Sequence, residues 1–64
     1  MMSDAVLRIK KELKEQGISQ ADLARTIGVT EVSVHRWMTG QRTPSIDYVE
    51  RMARALGMHV LVYR

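Results

Sequence analysis

Four hydroxyl residues and four glycines divide this chain of 64 residues into helical segments. Ser3, Ser19, Thr30 and Ser45 each stand where a side-chain oxygen can accept from the free N–H groups of a first helical turn. Gly17, Gly28, Gly40 and Gly57 are the only glycines, and each stands where a helical pattern stops. The punctuation predicts helices over residues 4–16, 20–27, 31–38 and 46–56. Asp4 and Glu31 fall at helix starts, where the helix dipole favours negative charge. Ser19 and Asp22 have capping-box spacing, with aspartate in place of the usual glutamate or glutamine.

Between these marks the apolar residues recur at helical spacing. Val6, Ile9 and Leu13 form one inner face; Leu23, Ala24 and Ile27 a second; Val34, Trp37 and Met38 a third. Ile46, Val49, Ala53 and Leu56 form the stripe of the fourth helix. Asp47–Arg51 and Glu50–Arg54 are acid-first i,i+4 pairs on that helix. After Gly57 the pattern changes: His59, Val60, Leu61, Val62 and Tyr63 are rich in β-branched and aromatic residues and predict a strand over residues 59–63. The chain holds no second strand to pair with it. Pairing with the same strand of a second copy about a two-fold axis satisfies its backbone groups; a helical continuation is the alternative. In such a strand Val60 and Val62 point to one side and His59, Leu61 and Tyr63 to the other. One side would cover the fourth helix, where Tyr48, Met52 and Ala55 form a second apolar stripe. These residues and the tail are expected to build a homodimer contact, unless Tyr48 and Met52 complete the core of the single chain.

The length allows one domain over residues 1–64, burying only about 60% of its unfolded surface. There is no cysteine, hence no disulfide and no thiolate metal site. The two histidines, His35 and His59, have no partners at metal-ligand spacing, so no metal and no cofactor are expected. No run approaches the roughly 20 apolar residues of a membrane span. The opening Met1-Met2-Ser3-Asp4 lacks the features of a secretory signal, so a cytoplasmic, nucleoid-associated protein is expected. A nucleophile–base set or phosphate loop is not visible, which argues against an enzyme. The formal net charge of +3 suits an acidic partner such as nucleic acid, though charge alone favours it only modestly.

The stretch from Ser19 to Trp37 carries more. Ala24 is small where two helices must approach closely. Gly28 sits in the turn between them, and Val34 packs the second helix on the first. Two helices so joined cross steeply and leave the second exposed on one side, where it can enter a DNA major groove. With the runs Ser19-Gln20-Ala21-Asp22-Leu23-Ala24, Val32-Ser33-Val34-His35-Arg36-Trp37, Thr39-Gly40-Gln41-Arg42-Thr43-Pro44-Ser45 and Ala53-Arg54-Ala55-Leu56-Gly57, the chain resembles the lambda-repressor-like, or Cro/repressor-type, helix-turn-helix family. The resemblance covers roughly Val6 to Gly57. It implies a mostly α, four-helix DNA-binding domain. Two departures stand out. Many members pair an arginine of the first helix with a glutamate ending the recognition helix, where this chain has Leu13 and Met38. An apolar pair can replace a buried ion pair without loss of stability. Many members also add a fifth helix, where this chain has the strand-like tail seen in members that dimerise through a C-terminal strand.

The resemblance places helix 31–38 in the major groove, with Glu31, Val32, Ser33 and Arg36 as base-reading candidates. Arg36 suits bidentate bonding to guanine, with a phosphate contact as its alternative. Val32 suits a thymine methyl, or does little beside the groove. Glu31 suits a cytosine amino group, or serves only the helix start. Ser33 suits a base or a phosphate. Gln20 implies a phosphate anchor at the start of the second helix. Arg42, Thr39 and Thr43 make a second backbone clamp, and His35 is a weaker phosphate candidate. Trp37 is expected in the core rather than stacked on a base. Arg8, Lys10, Lys11 and Lys14 are read as a solvated face. The reading that follows is a homodimeric, sequence-specific transcriptional regulator, a Cro-like phage repressor on double-stranded DNA. An antitoxin that also binds a toxin protein, and an interaction module without DNA binding, are the alternatives.

Overall fold

Each of the four expected helix starts is capped by its hydroxyl. In a computed structural model, which describes residues 3–58, Ser3 accepts from the Val6 N–H at 3.3 Å and Ser19 from that of Asp22 at 3.0 Å. Thr30 accepts from Ser33 at 3.1 Å and Ser45 from Tyr48 at 3.3 Å. All four have extended backbone, as an N-cap requires. The helices that follow are α1 (Asp4–Gln16), α2 (Gln20–Ile27), α3 (Glu31–Met38) and α4 (Ile46–Ala55).

Their ends are closed in one way, four times over. The residue after each glycine returns its N–H to the carbonyl five positions back: Ile18 to Leu13, Val29 to Ala24 and Gln41 to Arg36, each at 2.9 Å, and Met58 to Ala53 at 2.8 Å. This closure turns the chain sharply through a left-handed residue, and the glycine supplies it each time, with φ between 68° and 80°. The fourth helix ends one residue earlier than its pattern predicts. Leu56 leaves helical geometry as the C-cap, with φ -96° and ψ 4°.

The four helices share one apolar core. Val6, Ile9, Leu13, Leu23, Ala24, Ile27, Val34, Trp37, Met38, Met52 and Leu56 form a single buried cluster. Among the described residues no polar or charged residue is buried, and no buried side-chain polar atom lacks a partner. Leu13 and Met38 both lie in this cluster, so the apolar pair serves as interior packing. Ala24 is 2% exposed, which fits its place at the close approach of α2 and α3. Gln16 adds a tie that spacing does not reveal: its amide donates to the Leu56 carbonyl at 2.8 Å, joining the ends of α1 and α4.

Two expectations are corrected. Ile46 was expected on the inner stripe of α4, yet it is 56% exposed. It is the first residue of α4, and Pro44, two positions earlier, is buried in its place. Met52 was expected at a contact with a second copy, yet it is completely buried within the single chain. Its side chain belongs to the core that Val34 and Leu23 also fill, and it is not available to a partner. The expected strand over residues 59–63 lies outside the described residues. Among the described residues no helix is long and apolar enough to cross a membrane.

Candidate nucleic-acid interface

Helix α3 packs more extensively on α2 than on any other helix. Val34, Trp37 and Met38 turn inward and fix its rotation about its own axis. The remaining side chains are thereby sorted. Glu31, Val32, His35 and Arg36 are exposed, and Ser33 is half-buried. Val32 is 57% exposed and lies outside the core cluster. The base-reading candidates thus lie together on the outward part of one short helix.

The turn before α3 sets its height and direction. Gly28 takes φ 78°, and its N–H and that of Val29 both donate to the Ala24 carbonyl at 2.9 Å. Thr30 then caps α3 through the Ser33 N–H, and its hydroxyl also donates to the Ser33 hydroxyl at 2.9 Å. Ser33 therefore accepts from inside the helix and keeps its own hydrogen for a base or phosphate oxygen.

The loop after α3 is equally fixed. The Arg36 carbonyl accepts from Gln41 at 2.9 Å and from Arg42 at 3.2 Å. These bonds fold the loop back so that Arg36 and Arg42 line one open cleft of about 300 Å³. Ser33, Thr43, Ser45, Trp37, Pro44 and Tyr48 also line it. Two arginines and three hydroxyl-bearing residues around one cleft suit an acceptor-rich anion. Four of the candidates, Ser33 and Arg36 of α3 and Arg42 and Thr43 of the loop, therefore meet in one place. Thr39, a backbone-clamp candidate, is exposed, and its hydroxyl donates to the His35 carbonyl at 2.9 Å, within the helix end. Its one hydrogen is engaged there, and a phosphate contact would require that bond to be exchanged.

On the other flank Gln20, half-buried at the start of α2, meets His35 of α3. The amide Oε1 and imidazole Nδ1 are 3.3 Å apart. Sequence spacing marked both residues but not their contact, because it depends on how the two helices cross. The expected partner surface on α4 is mixed. Ala55 is exposed, Tyr48 is half-buried, and Met52 is interior. The Tyr48 ring stands 5.1 Å from that of Trp37, with the Arg51 guanidinium 5.5 Å from its centroid. Much of Tyr48 is thus occupied within the chain. His59, Val60, Leu61, Val62 and Tyr63 lie outside the described residues. Arg8, Lys10, Lys11 and Lys14 are exposed along α1, as a solvated face requires.

A family model for helix-turn-helix proteins matches residues 9–62. An uncharacterized HTH-type transcriptional regulator of Methanothermobacter thermautotrophicus is 39% identical over 49 residues, which are 77% of this chain and 71% of that protein. No solved structure matches the chain.

Proposed function

The chain belongs to the Cro/repressor-type helix-turn-helix family, and from that premise we propose that it is a sequence-specific DNA-binding transcriptional regulator. The observation that carries this reading is the arrangement of α3. An apolar side anchors it to α2, while Val32, Ser33 and Arg36 project outward beside the Arg42 loop. In the major groove, Arg36 meets a guanine edge, Val32 a thymine methyl, Ser33 a base or phosphate oxygen, and Glu31 a cytosine amino group. Gln20 and Arg42 hold the backbone on either flank, with Thr43 beside Arg42. Arg36 is assigned to base readout even though it shares a cleft with Arg42. Its long side chain starts on the exposed part of α3 and can leave the cleft for the groove.

One such domain presents few base contacts, so a second copy is expected to complete the site. Two recognition helices about 34 Å apart would read an inverted repeat. Occlusion of a promoter by that dimer makes repression the simplest mechanism. Selection of bound sites from random duplex DNA, at stated salt, should return a two-fold symmetric preference. Arg36→Ala should then weaken binding and relax one position of the site by about 1–3 kcal/mol. An Arg36→Ala protein with unchanged affinity and preference would overturn the readout. For the dimer, removal of residues 59–64 should convert the protein to monomer in sedimentation measurements. A truncated protein that stays dimeric at low micromolar concentration would overturn the role of the tail.

A further inference from the structure

Three threonines use their hydroxyl hydrogens inside the chain. Thr26 donates to the Asp22 carbonyl and Thr39 to the His35 carbonyl, each at 2.9 Å. Thr30 donates to the Ser33 hydroxyl, also at 2.9 Å. Ser33 differs from all three. A serine within a helix can turn back on the carbonyl four positions earlier. Among the described residues, however, the Ser33 hydroxyl donates to no protein group; its one bond is the one it accepts from Thr30.

Two bonds hold this arrangement. The Thr30 oxygen accepts the Ser33 N–H at 3.1 Å as the cap of α3. A hydroxyl that accepts one bond is polarised into a better donor for the next. Its hydrogen goes to the Ser33 oxygen, and the Ser33 hydrogen is thereby turned away from Thr30. Ser33 lines the cleft that Arg36 and Arg42 also line. A guanidinium donates and cannot accept. The bond from Thr30 therefore brings Ser33 into agreement with two groups that seek acceptors. That sense matters at a base edge. Every base pair shows the major groove one keto oxygen, on guanine or thymine, and one amino group, on cytosine or adenine. A hydroxyl free to rotate serves either, and so distinguishes them poorly. A serine held as a donor bonds the keto oxygen and leaves the amino group unpaired.

We infer that Thr30 is a positioning residue for specificity: it holds Ser33 as a one-way donor to a base keto oxygen, so that one base pair of the site is read by where that oxygen lies. The inference rests on the DNA-binding reading. It adds to that reading a residue that acts through another, and it assigns Ser33 to a base and not to a phosphate.

The test needs a variant that keeps the cap and removes the donor. Thr30→Asp does both, since aspartate caps at least as well as threonine and a carboxylate only accepts. Its urea unfolding should match that of wild type, while Ser33 now turns its hydrogen inward. The probe is a duplex carrying the selected site, altered at the base pair whose preference Ser33→Ala relaxes. There the keto oxygen is replaced by sulfur, a weaker acceptor, as 6-thioguanine or 4-thiothymine. The sulfur should weaken wild-type binding roughly three- to tenfold, the size of one hydrogen bond. Thr30→Ser keeps the hydroxyl and should lose as much. Ser33→Ala and Thr30→Asp should be nearly indifferent to the sulfur. Each protein is compared on its own oxygen and sulfur duplexes, which cancels the charge that aspartate adds, and low salt keeps weak complexes measurable. A folded Thr30→Asp protein as sensitive to sulfur as wild type would reduce Thr30 to a cap and overturn the inference. So would a wild-type protein indifferent to the sulfur, or a Ser33→Ala protein that relaxes no position. Absence of any duplex binding would instead overturn the DNA-binding reading on which it stands.

Discussion

Gly28 shows how a single residue sets the path of the chain between α2 and α3. It takes φ 78°, and a Cβ built on it would meet nothing within 4 Å. Any cost of Gly28→Ala is therefore backbone strain and not crowding. Left-handed conformation costs a residue with a Cβ about 1–2 kcal/mol. Urea unfolding of Gly28→Ala should show that loss, and Gly28→Asn should lose less, because asparagine tolerates this region. An alanine variant as stable as wild type would remove the strain argument. Met52 gives the opposite case, a residue whose neighbours decide its role. Its side chain fills the core, so Met52→Ala should cost about 2–5 kcal/mol. The loss should not depend on protein concentration, as it would if the side chain sat in a dimer contact. A small domain has little stability in reserve, so the variant should be largely unfolded near physiological temperature.

At the level of elements, the helices are short, and their ends carry much of the information. An isolated helix of eight residues, such as α2 or α3, would not persist in water. Caps and packing hold it. Thr30 does two things for α3: it satisfies the Ser33 N–H and donates to the Ser33 hydroxyl. Thr30→Ala should cost about 0.5–2 kcal/mol in thermal or urea unfolding. It should also free the Ser33 hydroxyl to rotate. Ser3, Ser19, Thr30 and Ser45 were legible in the sequence because a cap acts on residues three positions ahead. The tie from Gln16 to the Leu56 carbonyl was not, because its acceptor lies forty residues away. Gln16→Ala should lose roughly 1 kcal/mol, measured against the same unfolding baseline.

At the scale of the molecule, one core with no buried polar residue among the described residues leaves their charged groups at the surface, where helix packing sorts them. That sorting places Arg36 and Arg42 on one cleft, and the two should separate by experiment. Arg42→Ala should weaken binding to selected and random duplexes alike and lower the salt slope by about one, as loss of a phosphate contact does. Arg36→Ala should act mainly on the selected duplex. Equal effects of the two substitutions on both duplexes would place Arg36 on the backbone.

Among the described residues, the sequence by itself determined the number of helices, their order and their limits to within a residue. Caps, glycine closures and apolar spacing all act over a turn or two, and each is written locally in residues such as Ser19, Gly28 and Val34. It also carried the family, through the turn at Gly28 and the loop from Thr39 to Ser45. Only the tertiary structure decided that Ile46 is exposed and Met52 interior. Helical spacing shows which residues share a side, but not where a neighbouring helix ends. It alone brought Gln20 to His35 and Arg36 to Arg42. Those meetings depend on the crossing of α2 with α3 and the return of the loop after α3, which no local pattern records.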